Sequence, residues 1–482
     1  MDVQLLINNR AVSASNGATF ERRNPVTGEV ASRAAAATSA DAIAAGDAAA
    51  TALPVWSSVG PNQRRAILLR AADLLSKRAR DFTELMVSEV GATPPWAHFN
   101  VALGADLLRE AASMTTQICG EVIPSDKPGC TALAIRQAAG VVLGIAPWNA
   151  PVILGVRALA MALACGNTVV MKASEYAPGT HRLIGEVLQA SGLPDGAINV
   201  VTNAPPDAAE IVQTLIGHPA IRRINFTGST RVGRLIAECA ARHLKPVLLE
   251  LGGKASVIVL DDADVDAAVN AVAFGAFLNQ GQICMSTERV IVERCIADEF
   301  VSKLTAKAAS LRAGNPLAAD VVLGSLVSAE AATRVRELIQ EAVRAGAILT
   351  GGGLGDGTIM PASVLDNVTP SMRIYSEESF GPVVAVIRVD DIQAAICVAN
   401  DTEYGLASAI FSRDVRRAIS VAKQIQSGIC HINGPTVQDE PQMPFGGMKA
   451  SGYGRFGGRA AIHEFTELRW ITVEDPAQQY PF

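Results

Sequence analysis

Short apolar runs rich in valine and isoleucine recur between helix-compatible stretches, at 141–146, 168–172, 198–201, 223–226, 256–260, 289–292, 383–389 and 429–432. The intervening segments 179–191, 207–216, 230–242 and 264–278 carry helical spacing and composition. When a helix separates each strand from the next, successive strands run parallel, and the order predicts doubly wound parallel sheets with helices on both faces. A chain of 482 residues exceeds one ordinary hydrophobic core, so two large lobes are expected.

Two stretches break the alternation. Residues 129–140 and 466–474 read as extended strands with no helix beside them, and exposed edges of that kind are commonly covered by another subunit. An interlocking oligomer is therefore expected. The apolar stretch from Ala150 to Gly166 is too short for a membrane span and carries Arg157 in its middle, so it reads as a buried helix. The N-terminal MDVQLLINNRAV has no apolar run of signal-peptide length, which gives no reason to expect export.

Charge and cysteine usage narrow the function classes. A formal net charge of −6 leaves no basic footprint for nucleic acid or for an anionic membrane. Eight cysteines form no C-x-x-C pair and six histidines no H-E-x-x-H, so neither a metal site nor a disulfide framework is expected. The pattern fits a reducing cytoplasm. Gly452-Tyr-Gly454-Arg-Phe-Gly457 matches the dinucleotide word G-x-G-x-x-G, but it follows the polar loop GGMKAS and not a strand, so it is not expected to hold a pyrophosphate.

The residues that carry chemistry cluster around one thiol. Cys284 closes Asn279-Gln-Gly-Gln-Ile-Cys, where Gly281 lets the chain turn. On residue type alone it is a small buried hydrophobe, because a thiol of ordinary pKa about 8.5 is only sparsely ionised at neutral pH. Glu250 ends the apolar run Pro246-Val-Leu-Leu, so partial desolvation would raise its pKa toward that of a general base. The alternative is a strand-end carboxylate paired with Lys254. Asn149 is, taken alone, a turn residue after Pro-Trp. Ser229 follows strand 223–226 and starts a helix, where it can cap the helix or face a phosphate.

Taken together, Ala146-Pro-Trp-Asn149, Lys172-Ala-Ser-Glu175, Phe226-Thr-Gly-Ser229, Glu250-Leu-Gly-Gly-Lys254 with Gly281-Gln-Ile-Cys284, Glu378-Ser-Phe-Gly-Pro382, Pro444-Phe-Gly-Gly447 and Lys449-Ala-Ser-Gly452 resemble the NAD(P)-dependent aldehyde dehydrogenase superfamily over nearly the whole chain. The resemblance implies two doubly wound parallel-sheet domains with a small β oligomerisation arm: 1–122 and 141–251 binding NAD, 252–450 catalytic, 123–140 and 451–482 arm and tail. It implies that Cys284 attacks an aldehyde to give a thiohemiacetal, with Asn149 and the Cys284 N–H holding the oxyanion. The same resemblance implies that hydride passes to the nicotinamide and that Glu250 activates the water that releases the acid, favouring hydrolysis over acyl transfer to coenzyme A.

For the cofactor, the resemblance points to Ala146, Trp148, Lys172, Ser174, Glu175, Gly228, Ser229, Val232, Leu251, Gly252, Glu378 and Phe380. Lys172 and Glu175 would hold the adenine ribose hydroxyls, and a carboxylate there should repel a 2′-phosphate, so NAD is expected over NADP. Thr202-Asn-Ala-Pro-Pro departs from the glycine-containing turn usual among relatives, which puts the detail of the adenine pocket in doubt.

The segment from Asp439 to Gly458 looks like the aromatic-aldehyde branch of the family. Its implied substrate walls are Trp96, Phe99, Leu103, Ala150, Arg157, Ile283, Met285 and Phe445. Arg157 either pairs with a carboxylate on another helix or meets a substrate hydroxyl, phenolate or carboxylate. The latter tilts the expectation toward an ortho-hydroxylated aldehyde such as salicylaldehyde; benzaldehyde, vanillin or an aliphatic aldehyde are alternatives, and a catalytically silent nucleotide-binding relative is a remote one. A homodimer or homotetramer is expected, with no membrane or nucleic-acid partner.

Overall fold

The computed structural model describes residues 1–476 and 480. Its first large sheet runs, edge to edge, Gly452–Tyr453, Val247–Glu250, Ile221–Thr227, Val141–Ile145, Thr168–Lys172, Ile198–Val201, Leu5–Ile7 and Arg10–Val12. The central five strands are parallel; the pairings at the edges are antiparallel. Strands Val141–Ile145, Thr168–Lys172 and Ile198–Val201 are buried at every residue, as expected of parallel strands covered on both faces. The second sheet runs Ile348–Gly351, Ser363–Asp366, Val383–Val389, Thr287–Glu293, Ala255–Val259, Ala407–Phe411 and Ile429–Ile432, parallel except for its first strand.

Local chemistry sets the helices between them. Helix Thr230–Arg242 starts where Ser229 Oγ accepts from the Val232 N–H, and helix Ser39–Ser58 starts on a reciprocal Thr38–Asp41 capping box. Helix Pro151–Ala164 begins on a proline, whose missing N–H costs nothing in a first turn, and all 14 of its residues are buried. No helix among the described residues is long and apolar enough to cross a membrane.

The two strands that lacked a helix find each other. Thr131–Ala138 and Thr466–Val473 pair antiparallel over their full length, and Glu121–Ile123 joins the far side of the first. The outer edges of Thr466–Val473 and Glu121–Ile123 stay open, and Glu121–Ile123 covers Thr131–Ala138 only at residues 132–134. The expected arm is thus a three-stranded sheet. Gly452–Tyr453, which the sequence division placed with the tail, pairs instead with Val247–Glu250 in the first sheet. The glycine word that begins there turns the chain back: Gly452, Gly454 and Gly457 all have positive φ, and Phe456 pairs with Phe445.

What matters for function is how the two sheets meet. Residues 145–149, 172–175, 227–229 and 250 leave the carboxyl ends of parallel strands in the first sheet, the place where open α/β sheets bind ligands. Lys254, Cys284 and Glu378–Phe380 stand just before strands Ala255–Val259, Thr287–Glu293 and Val383–Val389, at the amino ends of the second sheet. The two sets face one cleft.

Candidate active site

A cavity of about 260 Å³ occupies that cleft, lined among others by Trp148, Asn149, Gly228, Ser229, Glu250, Gly252, Cys284, Glu378 and Phe380. Cys284 is partly open to it. The loop that carries Cys284 is strained: Asn279 and Gln280 hold φ of 49° and 56°, a left-handed conformation uncommon for residues with a side chain. Hydrogen bonds maintain it. Asn279 Nδ2 donates to the Asn149 carbonyl at 3.0 Å, Trp96 Nε1 donates to the same carbonyl at 3.1 Å, and Asn149 Nδ2 donates to the Gln282 carbonyl at 3.0 Å. The amide of Asn149 is thus fastened to the cysteine loop by one of its two N–H groups. On the other side, a Cβ at Gly253 would lie 2.3 Å from the Cys284 carbonyl oxygen, so no side chain fits where the two loops pass.

Two buried carboxylates sit near the thiol in contrasting states. Glu288 takes an ion pair from Lys254 at 2.7 Å, with further hydrogen bonds from the Ser379 N–H and hydroxyl and the Phe380 N–H. Lys254 Nζ also donates to the Glu377 carbonyl at 2.7 Å, so Lys254 is engaged away from Glu250. Glu250 is 1% exposed, and neither of its oxygens takes an N–H or O–H donor. Burial raises its pKa to about 8; the Cys284 thiol beside it and Arg157 oppose the rise, and Glu378 and Asp439 add to it. Burial and the neighbouring Glu250 carboxylate also hold the Cys284 thiol well above its ordinary pKa.

The cofactor candidates fall into two groups. Ser229 places the amino end of helix Thr230–Arg242 at the cavity; Val232, on that helix's first turn, packs against the core and does not line it. Trp148 and Phe380 meet edge to face with centroids 5.8 Å apart, and Glu378 accepts from the Gly253 N–H at 2.9 Å. Gly252 lies beside Glu378: a Cβ there would come within 2.7 Å of a carboxylate oxygen. Ala146 and Leu251 are buried in two different core clusters. Farther along, Lys172 forms an ion pair with Glu175, and Asn203 Nδ2 donates to Glu175 at 2.9 Å. Burial works against ionisation of Glu175, but Lys172 outweighs it and the pKa is lowered. Ser174 lies buried between them, its N–H donating to His181 Nδ1.

Of the substrate candidates, Trp96, Leu103, Ala150, Ile283, Met285 and Phe445 belong to one buried apolar cluster against which Cys284 packs. Phe99 is exposed and stacks on Trp96 with centroids 5.5 Å apart. Arg157 is buried, forms an ion pair with Asp439, and lies 4.4 Å above the Phe445 ring. Its carboxylate partner is on the loop before Phe445, not on another helix, and no sequence spacing links the two positions.

Residues 12–471 match the aldehyde dehydrogenase family. The chain belongs to that family. As a member, it is 60% identical to a vanillin dehydrogenase of Pseudomonas fluorescens over 481 residues, which cover all of both chains. It is 51% identical to a salicylaldehyde dehydrogenase of Pseudomonas putida over 483 residues, again all of both chains. The crystal structure of a salicylaldehyde dehydrogenase from Pseudomonas putida G7 complexed with salicylaldehyde superposes with a TM-score of 0.98 at 51% identity and full coverage of both chains. The chain is an aldehyde dehydrogenase with the family's α/β fold.

Several residues of this aldehyde dehydrogenase's site carried no signal in the sequence. Glu288 anchors the Glu378–Phe380 loop from another strand, and Asn203 closes on Glu175 from the turn flagged only as unusual. Arg334 lines the cavity, pairing with Glu377 and donating to the Glu378 carbonyl. A basic residue on an amphipathic helix gives no hint of this.

Proposed function

We propose that this enzyme oxidises a ring-hydroxylated aromatic aldehyde to its carboxylic acid with NAD, using Cys284 as nucleophile, Asn149 as oxyanion donor and Glu250 as base. The observation that carries the reading is Glu250: a buried carboxyl group that takes no N–H or O–H donor, has a pKa raised by burial to about 8, and faces the Cys284 thiol as its hydrogen-bonding neighbour. A structural glutamate at that depth would be saturated with donors, as Glu288 is.

The chemistry follows from placement. The Cys284 sulfur bonds to the aldehyde carbon while its proton passes to Glu250. The oxygen that becomes negative is met by the second N–H of Asn149 Nδ2 and by the Cys284 backbone N–H, and one such donor is typically worth about 10²–10³ in rate. NAD, when bound, supplies the hydride acceptor that turns the thiohemiacetal on Cys284 into a thioester. Glu250, once its first proton has gone to solvent, takes a proton from water; the water oxygen attacks the thioester, and the acid leaves as the thiol re-forms.

The donor set suits a dinucleotide. Ser229 and the first turn behind it would take the pyrophosphate, Glu378 the nicotinamide ribose, Trp148 and Phe380 the ring, and Lys172 with Glu175 the adenine ribose. An ionised Glu175, held by Lys172 and Asn203, favours ribose hydroxyls over a 2′-phosphate, and so NAD over NADP.

For the substrate, the aromatic side chains Trp96 and Phe445 in the apolar cluster against which Cys284 packs support a flat ring, and the relatives named for vanillin and salicylaldehyde support a hydroxylated one. Because Asp439 engages Arg157, the guanidinium gives no special reason for an ortho hydroxyl; the higher identity to vanillin dehydrogenase favours a vanillin-type aldehyde within the class. The exposed Val122, Leu468 and Trp470 on the three-stranded arm support self-association as a homodimer or homotetramer, and free cysteines with an NAD-linked oxidation support a cytoplasmic enzyme.

Steady-state NADH formation with vanillin, salicylaldehyde, benzaldehyde and hexanal tests this. Vanillin and salicylaldehyde should give the highest kcat/KM. Turnover of hexanal alone would overturn the aromatic assignment, and a coenzyme A thioester as product would overturn hydrolysis.

A further inference from the structure

A second cavity, of about 520 Å³, opens at the far end of helix Pro151–Ala164. That helix of 14 residues is about 21 Å long at 1.5 Å per residue, so this cavity is well separated from Asn149, next to the helix's other end. Its walls come from elements distant in sequence: Leu53 and Ser57 near the end of one helix, Arg64 near the start of the next, Thr115 and Ile118, and Arg136 on the arm strand. It has two arginines and no acidic residue in its lining.

Arg64 is the feature that needs explaining. Its Nε is enclosed without any hydrogen-bond partner, and burial lowers its basicity with no carboxylate among the groups acting on it. Gly166, at φ 86°, is bare backbone where the guanidinium lies: a Cβ there would come within 2.6 Å of Arg64 Nη1. Arg136 donates to Thr466 Oγ1 at 3.0 Å and bonds His463 Nδ1 at 2.9 Å, and among the described residues no carboxylate pairs with it. Two guanidinium groups lining one cavity with no carboxylate between them repel each other, and an oxyanion would relieve that cost, since the planar fork of arginine matches carboxylate and phosphate oxygens. Leu53 and Ile118 add an apolar wall beside the charge.

We propose that this cavity is a binding site for a small organic oxyanion, a carboxylate or phosphate ester, whose charged head lies between Arg64 and Arg136 and whose apolar body rests on Leu53 and Ile118. The site is independent of the aldehyde chemistry at Cys284. Titration calorimetry of the whole enzyme with phenyl phosphate, benzoate and benzyl alcohol tests it, the first two separating the phosphate from the carboxylate source. Saturable binding of at least one anion is expected, weakened tenfold or more by Arg64→Gln and less by Arg64→Lys, while kcat/KM for the aldehyde and the mass in solution stay unchanged. Equal affinity in the wild type and Arg64→Gln, or equal binding of benzyl alcohol, overturns the proposal. So does dissociation of the assembly in Arg64→Gln, which would give the cavity to a carboxylate of a second copy. Phenylglyoxal labelling of the unaltered enzyme, read by peptide mass, is a check that needs no variant: the bound anion should protect Arg64, and unprotected labelling is equally decisive against the site.

Discussion

Glu250 and Glu288 are the same residue type at nearly the same depth, flanking one cysteine loop, and the fold treats them oppositely. Glu288 receives a lysine, two backbone N–H groups and a hydroxyl; Glu250 receives no N–H or O–H donor and has only the Cys284 thiol beside it as a hydrogen-bonding group. A saturated buried carboxylate fixes geometry, because every donor around it must move if it moves. An unsatisfied one is destabilised as an anion, and that discomfort makes it a base near neutral pH. Rigidity and reactivity thus come from one side chain, and the difference lies in what surrounds it.

Substitutions at the site separate the two roles. Cys284→Ala should abolish NADH formation with every aldehyde, including the first turnover seen by stopped flow. Glu250→Gln should slow the single-turnover burst of NADH, because Glu250 takes the Cys284 proton, and slow the steady state further, by about 10²–10⁴, the usual contribution of a positioned general base, with acyl enzyme visible by mass spectrometry. An unimpaired steady state in Glu250→Gln would erase the contrast.

Stability should rank them in reverse. Glu288→Ala strands Lys254 in the interior and should lower the unfolding free energy by about 3–5 kcal/mol in denaturant titration, whereas Glu250→Gln removes an unpartnered carboxylate and should leave stability unchanged or raised. In pH, the Glu250 carboxylate is protonated below its raised pKa and becomes a base above it. Deacylation in the wild type should climb with pH to a plateau above about 8, and Glu250→Gln should flatten that climb. The smallest effect is expected at the ribose end: Asn203→Ala removes one hydrogen bond to Glu175, worth about 1 kcal/mol, and should raise KM for NAD about fivefold with kcat unchanged.

The α/β order was legible because buried parallel strands are written as valine and isoleucine runs, and the runs at 168–172, 198–201, 383–389 and 429–432 coincide with strands. Strands Ala407–Phe411 and Ser363–Asp366 were not read, since runs with so few branched residues look like any buried segment. The cysteine, asparagine and glutamate stood out through short glycine-bearing words whose order matches a family. What the words could not show is pairing across the fold: Arg157 meets Asp439, 282 positions later, and Lys254 meets Glu288 instead of Glu250. Such choices depend on which loops the two sheets bring together, and a linear pattern does not encode them.

Between Glu250, the last residue of a strand in the first sheet, and Ala255, the first of a strand in the second, the chain has only four residues to cross from one lobe to the other. Leu251 is tied to the Ser451 carbonyl at 3.0 Å and Lys254 is locked beneath Glu288, so the crossing behaves as a short, stiff axle. A rotation of one lobe against the other about this axle would move their outer rims most and Glu250, which borders it, least. Widening of the cleft at its mouth would then leave the carboxyl group at its floor almost where it stands.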